Sequence, residues 1–276
     1  MAAPVAEGEP VADVVTRSIL VLGVDGDGRA LEGQRSDSIL LARVGESTVD
    51  LVSFPRDLLV DVPACTGSAG ESKLNSVYAA ASDADGVDAG VRCLAGTLRD
   101  ISGIRVDDYV VLNMSSVVEL VDVLGGVTVC LDESEAAAGA VPGVVEVGCH
   151  RLNGTQAMAY ARARKGVADG SDLSRIKRQH TVLGAVAKEM GSLDPVRDLP
   201  TFLQLGSTLR ELTESSLSLT NGREIRDLVR RFGEADLSAT RTVPVIPAGD
   251  GANVRLAPEA DEFFRDYRRG APLTRG

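Results

Sequence analysis

The chain has 276 residues, of which 44% are hydrophobic and only 3% aromatic, and its formal net charge is −11. That length allows one large α/β domain or two small ones, with a core built mainly from Val, Leu, Ile and Ala. The acidic balance excludes sequence-independent nucleic-acid binding and a polybasic membrane patch, both of which need a basic face.

Met1 to Pro10 is small, acidic and proline-containing, without the positive start and apolar middle of a signal peptide. Residues 1–16 therefore read as a flexible leader, or as what is left after an anchor was removed. No apolar run is long enough for a membrane helix. Ser18 to Asp25 is a continuous apolar run closed by Gly and Asp, the pattern of a strand buried on both faces. After a Gly-rich loop, 26–36, come strands over 38–43 and 49–54, joined by Gly45-Glu-Ser as an antiparallel hairpin. Pro55 stops the third strand, with Arg56 and Asp57 in the loop beyond it. Cys65 to Glu71 reads as loop, 73–82 and 87–101 as helices, and Gly103 as a helix stop. A strand over 106–112, a helix over 114–124, a Gly125-Gly126 connection and a strand over 127–131 follow. Residues 132–150 form an Ala-, Gly- and Glu-rich excursion, and Leu152 opens a helix running to about Tyr160. Further helices fall over 172–190, 195–212 and 221–233. A late strand over 241–246 is assigned to a sheet edge because of Pro244, and a helix over 258–268 closes the chain. The interleaving predicts a single α/β/α domain over 17–270, with a central mixed sheet, helices on both faces and a short tail, 271–276.

The four cysteines, Cys65, Cys93, Cys130 and Cys149, lack C-x-x-C spacing, which disfavours zinc. Their even number fits two disulfides in an oxidising compartment. Nearest-neighbour pairing, Cys65–Cys93 and Cys130–Cys149, is one of three connectivities, and four buried thiols are the alternative.

Two features carry chemistry. Asp25 ends the first strand and Asp37 begins the second, so the two carboxylates can meet at one rim of the sheet. Two hard oxygen ligands with open positions suit Mg2+, with Asp27 an alternative ligand in the same loop. The segment 160–179 concentrates Arg162, Arg164, Arg175 and Arg178 in an acidic chain. Arginine forks match phosphate oxygens, while a solvated, salt-bridged helix is the plain alternative. Asp172, Arg175 and Gln179 share one helix face, and Arg178 lies about 60° off it. Arg162 and Arg164, two apart, would point the same way from an extended segment.

Together with Gly23-x-Asp25, Arg35-Ser-Asp37-Ser, Phe54-Pro-Arg56-Asp57 and Lys73-Leu-Asn75-x-x-Tyr78-Ala, these segments resemble the LytR–CpsA–Psr family. The resemblance continues through Gly103-Ile-x-Val-Asp107-x-Tyr109, Leu120-Val-Asp122-x-Leu-Gly-Gly126-Val and Leu152-Asn-Gly154-x-x-Ala157. It closes on Tyr160-x-Arg162-x-Arg164 and Asp172-x-x-Arg175-x-x-Arg178-Gln179. The ordered blocks span roughly residues 18–190, and the cysteine placement is similar to that of actinobacterial members.

The resemblance implies an Mg2+-dependent phosphotransferase at the outer face of the cytoplasmic membrane, with Mn2+ as the alternate ion. Its donor would be a glycopolymer on a polyprenyl diphosphate and its acceptor a peptidoglycan hydroxyl, joined through a phosphodiester. Asp25 and Asp37 match metal ligands. Arg35, Arg56, Arg162, Arg164, Arg175 and Gln179 match positions that hold the pyrophosphate or its surroundings. Lys73 and Asn75 match a further part of that site, and Asp172 a residue orienting the arginines. A hydrophobic lipid tunnel is also implied, with Val110, Leu112, Val117, Val118, Leu120, Val121, Leu183 and Val186 as candidate wall residues or ordinary core. The chain departs from the family in having His180 where a second Gln is frequent, and in its Gly26-Asp27-Gly28 segment. Its loop before Asp172 is lengthened or variable, and the family's N-terminal membrane helix is absent from this chain. A hydrolase using water at the same site, and a lipid-carrier binding protein without turnover, are the alternative readings.

Overall fold

The structure, a computed structural model, describes residues 17–24, 30–45, 48–113, 116–163, 172–194, 197–216, 230–232, 240–249 and 251–271, with the backbone alone at 172–177 and 210–214. Its centre is a mixed sheet of six strands. These are β1 (Arg17–Val24), β2 (Ser36–Val44), β3 (Val49–Phe54), β6 (Asp108–Asn113), β9 (Thr213–Ser215) and β10 (Arg241–Thr242), in the order β10-β3-β2-β1-β6-β9. β1 runs antiparallel to β2 and parallel to β6, while β2 and β3 form the expected antiparallel hairpin.

Alternation along the central strands divides the core in two. Leu20, Leu22, Ile39, Leu41, Val52, Phe54 and Val111 face one layer. That layer comprises α1 (Leu74–Asp85), α2 (Val87–Ser102) and α8 (Ala260–Arg268). α1 buries Leu74, Val77, Tyr78 and Ala81, and α8 buries Ala260, Phe263, Phe264 and Tyr267. Both sets follow the i, i+3, i+4, i+7 stripe of a helix lying on a sheet. The Phe264 ring stacks on Phe54 of β3 at 6.0 Å. Buried Arg43 of β2 ties α8 down, donating to the Tyr267 carbonyl at 2.7 Å and pairing with Asp50 at 2.6 Å.

The opposite face carries α3 (Ser116–Val123), α5 (Gly154–Arg162), α6 (Asp172–Ser192) and α7 (Leu199–Leu212). It also carries a hairpin of β7 (Val127–Leu131) and β8 (Gly148–Leu152). α5 crosses α3 so closely that a methyl group at Gly154 would overlap the Val118 carbonyl. All eight candidate tunnel residues lie in this layer's apolar cluster or pack against it. Ile19, Ala42, Val44 and Leu51 form a third, smaller cluster, with Ala187 of α6 packed against it.

Several expectations need correction. The excursion after β7 is half ordered: α4 (Glu133–Ala137) carries a capping box from Asp132, and β8 returns antiparallel to β7. Leu152 therefore ends a strand; Asn153 is the N-cap, its side chain accepting from Gln156 N–H. Lys73 likewise ends β5 (Glu71–Lys73), which pairs with β4 (Leu59–Asp61), and caps α1 without entering it. The strand expected over 241–246 is split at Pro244, which has no N–H for a ladder. β10 lies at the sheet edge as anticipated, and β11 (Val245–Pro247) pairs separately with β12 (Val254–Leu256). The strand at 106 begins at Asp108 and the last helix at Ala260. Of the helix expected over 221–233, only 230–232 lies among the described residues, and those three are helical. The cysteines pair as Cys65–Cys93 and Cys130–Cys149, with no free thiol.

Candidate active site

One rim of the sheet gathers the polar ends of four adjacent strands. β1 ends at Val24, β6 at Asn113 and β3 at Phe54, while β2 begins there at Ser36. Neighbouring strands lie about 4.8 Å apart, so groups at these ends are close across the rim. At this rim the β1–β2 register slips, with Gly23 opposite Ser38 and Val24 opposite Ser36, which leaves Asp37 as the unpaired residue of a bulge. A bulge re-aims the side chain it carries, and here that side chain is the expected metal-ligating carboxylate. Ser36 and Ser38 on either side are buried with hydroxyls lacking a hydrogen-bond partner.

Charges of alternating sign follow along the rim. Arg56 Nη1 donates to Asp37 Oδ1 at 3.0 Å, and Arg56 Nε lies 3.5 Å from Asp57 Oδ2. Lys73 Nζ donates to the other Asp57 oxygen at 2.6 Å. The side chains of Asp37 and Arg56 are only 16% and 23% exposed, so solvent screens their pair less than it would a surface pair. The backbone sets this order: Leu74 N–H donates to the Leu58 carbonyl at 2.8 Å and Asn75 N–H to the Arg56 carbonyl at 3.1 Å. These bonds fasten the start of α1 beside the loop after β3. Asn75 is buried there, with its Oδ1 unpartnered.

The segment leading into Asp37 is held at three points. Asn113 Nδ2 donates to the Ala30 carbonyl at 3.1 Å and the Tyr78 hydroxyl to the Leu31 carbonyl at 3.0 Å. Gly33, at φ 66°, donates its N–H to Ser82 Oγ at 3.0 Å. Arg35 is exposed at the end of this segment. Sequence reading passed over the role of Asn113 and Ser82 here. The available signals were a polar residue closing an apolar strand and a serine on the α1 face that carries Tyr78.

The helical side of the site differs. Arg162 is exposed on the last turn of α5, so it projects from a helix end and not from the extended segment anticipated. Arg164, Asp25 and Asp27 lie outside the described residues; Asp172 and Arg175 lie on the first turns of α6, where only the backbone is described. Arg178, Gln179 and His180 are all buried, and Arg178 Nε, Gln179 Oε1 and His180 Nε2 lack hydrogen-bond partners among the described residues. Burial lowers the His180 pKa to about 4, which keeps the imidazole neutral. Burial first, and then the adjacent Glu135 carboxylate, push the Tyr160 hydroxyl well above its usual range.

Among the described residues no group of three or more His, Cys, Asp or Glu side chains could hold a metal by itself. A strand-end rim that brings carboxylates and cations together is a frame on which phosphate chemistry is commonly built.

The LytR_cpsA_psr family matches residues 5–247, and the chain belongs to that family. Biofilm regulatory protein A of Streptococcus mutans is 35% identical over 204 residues, 67% of this chain and 47% of that protein. The polyisoprenyl-teichoic acid–peptidoglycan teichoic acid transferase TagT of Bacillus subtilis is 31% identical over 214 residues, 73% of this chain and 60% of its own. The chain thus spans about half the length of the curated relatives it matches. Among solved structures, B. subtilis TagU superposes with a TM-score of 0.67 at 22% identity, covering 95% of this chain and 98% of that one. A structure of TagT bound to LIIa-WTA gives a TM-score of 0.65 at 24% identity, covering 97% of this chain and 92% of that one.

Proposed function

We propose that this protein transfers a glycopolymer phosphate from a polyprenyl-diphosphate carrier to a hydroxyl of peptidoglycan. The acceptor oxygen forms a new bond to the sugar-side phosphorus, the phosphoanhydride bond breaks, and polyprenyl phosphate leaves with that electron pair. The acceptor's proton passes to the leaving phosphate or to solvent, with Asp57 the carboxylate available at the rim. Phosphoryl transfer asks a protein mainly for positioning and charge stabilisation, so a dedicated nucleophile is not required.

The observation that carries this reading is the bulged Asp37 with Arg56, Asp57 and Lys73 beside it on the strand-end rim. The activity for which TagT is named and the structure of TagT bound to LIIa-WTA support it from outside the chain. The donor set fits Mg2+: Asp37, with Asp25 next to the end of β1, offers hard oxygens and leaves further positions to water and substrate phosphate. Mn2+ is the alternate. That ion would neutralise the diphosphate, while Arg35, Arg56, Arg162, Arg164 and Arg175 hold its oxygens, with Lys73, Asn75 and Gln179 around them and Asp172 orienting the arginines. The apolar layer of α3, α5 and α6 over the sheet is the proposed home of the lipid.

The two disulfides support an extracytoplasmic setting at the outer membrane face. None of the helices, among the described residues, is long and apolar enough to cross a membrane.

The test is release of polyprenyl phosphate from a synthetic polyprenyl-diphosphate glycan, with Mg2+ and a peptidoglycan acceptor. Asp37→Ala and Arg164→Ala are each expected to lose on the order of 10²–10³-fold in rate, with unchanged unfolding midpoints. Wild-type rates in both variants would remove the assignment. Release that proceeds equally without acceptor would favour the hydrolase, and binding without release the carrier protein.

A further inference from the structure

Arg178 is 3% exposed, yet it pairs with no carboxylate among the described residues. One arm of its guanidinium, Nη2, donates to the carbonyl of Ala163, and its Nε has no partner among the described residues. Ala163 is the C-cap of α5, where φ −58° and ψ 126° carry the chain out of the helix. It is also the single residue between Arg162 and Arg164. The same last turn is held from another side, because the Tyr160 hydroxyl donates to Glu135 Oε1 at 3.0 Å. Glu135 is itself fixed in the capping box of α4. The exit of α5 is thus gripped by Glu135 through a side chain and by Arg178 through the main chain.

A neutral donor would satisfy that carbonyl without bringing a charge out of water. A buried guanidinium whose one hydrogen bond among the described residues is to a main-chain carbonyl carries a desolvation cost that this bond offsets incompletely. An anion arriving at the adjacent arginines would lower that cost at the moment it binds. We propose that Arg178 is a positioning residue of the diphosphate site. It fixes the exit of α5 so that Arg162 and Arg164 are presented to the anion, and the arriving anion adds to the compensation of its buried charge. This rests on the phosphotransfer reading above and assigns a residue that touches the ligand only through its neighbours.

The experiment uses the full chain with Mg2+ and geranylgeranyl pyrophosphate as probe. Affinity is measured by calorimetry, and the unfolding midpoint without ligand is measured alongside. Arg178→Met replaces an uncompensated charge by an apolar side chain of similar length. Its midpoint is expected to equal or exceed that of the wild type, while probe affinity falls by about tenfold or more. A purely structural cap predicts the reverse, a lowered midpoint with affinity within about twofold, and that result would overturn the proposal. Should Arg178→Met not fold, Arg178→Lys decides. Weaker binding at a wild-type midpoint supports the proposal, because a point charge cannot reproduce the fork, and unchanged binding overturns it. A wild-type protein that does not bind the probe sinks the phosphotransfer reading and this one together. Wild-type binding that Arg178→Met leaves intact sinks this inference alone.

Discussion

On the sheet side of the site, Asp37, Arg56, Asp57 and Lys73 alternate in sign and neutralise one another through contacts of 2.6 to 3.5 Å. On the helix side, Arg178 is buried against the Ala163 carbonyl, and Gln179 and His180 are buried next to it with polar atoms unpartnered among the described residues. The first wall is a run of opposite charges already in contact with one another. The second holds a buried cation and buried polar atoms that lack partners among the described residues. A diphosphate with a metal suits such a pair of walls, since the metal can take the carboxylates while the anion takes the cations.

The disulfides offer the largest lever on this contrast, because each braces a different wall. Cys65–Cys93 ties the loop between β4 and β5, and so Lys73, to α2; Cys130–Cys149 staples the hairpin behind α4 and α5. With sequence separations of 28 and 19 residues, paired Cys→Ser changes at either bridge should cost about 3 kcal/mol in chemical unfolding. Only loss of the first is expected to slow transfer beyond its effect on the folded fraction. Equal slowing by both would mean that the walls are not independent.

Asp57→Ala comes next. It leaves Arg56 and Lys73 without their shared carboxylate, and transfer should fall on the order of 10²-fold as both cations drift. Retained activity would show that Asp37 alone orders this wall.

The smallest effect is a pH dependence on the helix side. His180 has a folded pKa lowered to about 4, against an ordinary value of 6.5, so the unfolded chain binds more protons between those values. Stability is therefore fully present above pH 6.5 and lost as pH falls toward 4, by about 2 kcal/mol at pH 5. His180→Gln should flatten that part of the acid limb in a plot of unfolding midpoint against pH. A slope identical to the wild type would assign the acid sensitivity to other groups.

Much of the fold was legible in the chain. Apolar runs located β1, β2, β3 and β7, and helical stripes located α1, α2 and α6, because those elements bury regular faces. β8 was not legible. It is a five-residue strand that opens on Gly148, with half-exposed alternation, and only its pairing with β7 defines it. Placement of Asp37 at a strand-end rim followed from strand order and Arg56 from the family resemblance, whereas the pairing of Asp57 with Lys73 followed from neither, since it depends on the β4–β5 hairpin folding back. Arg162 was misjudged because a residue two before a site arginine can lie in a helix end as easily as in an extended segment.

The sequence by itself determined the family, the alternation of strands and helices, and the stock of carboxylates and arginines, because these depend on residue type, order and local period. Only the tertiary structure decided what each charge faces. A register slip of one residue aims Asp37 at the rim, and the packing of α6 on α5 sets Arg178 against the carbonyl of the α5 C-cap. Both outcomes arise from contacts between segments distant in the chain, and neither local propensity nor spacing encodes them.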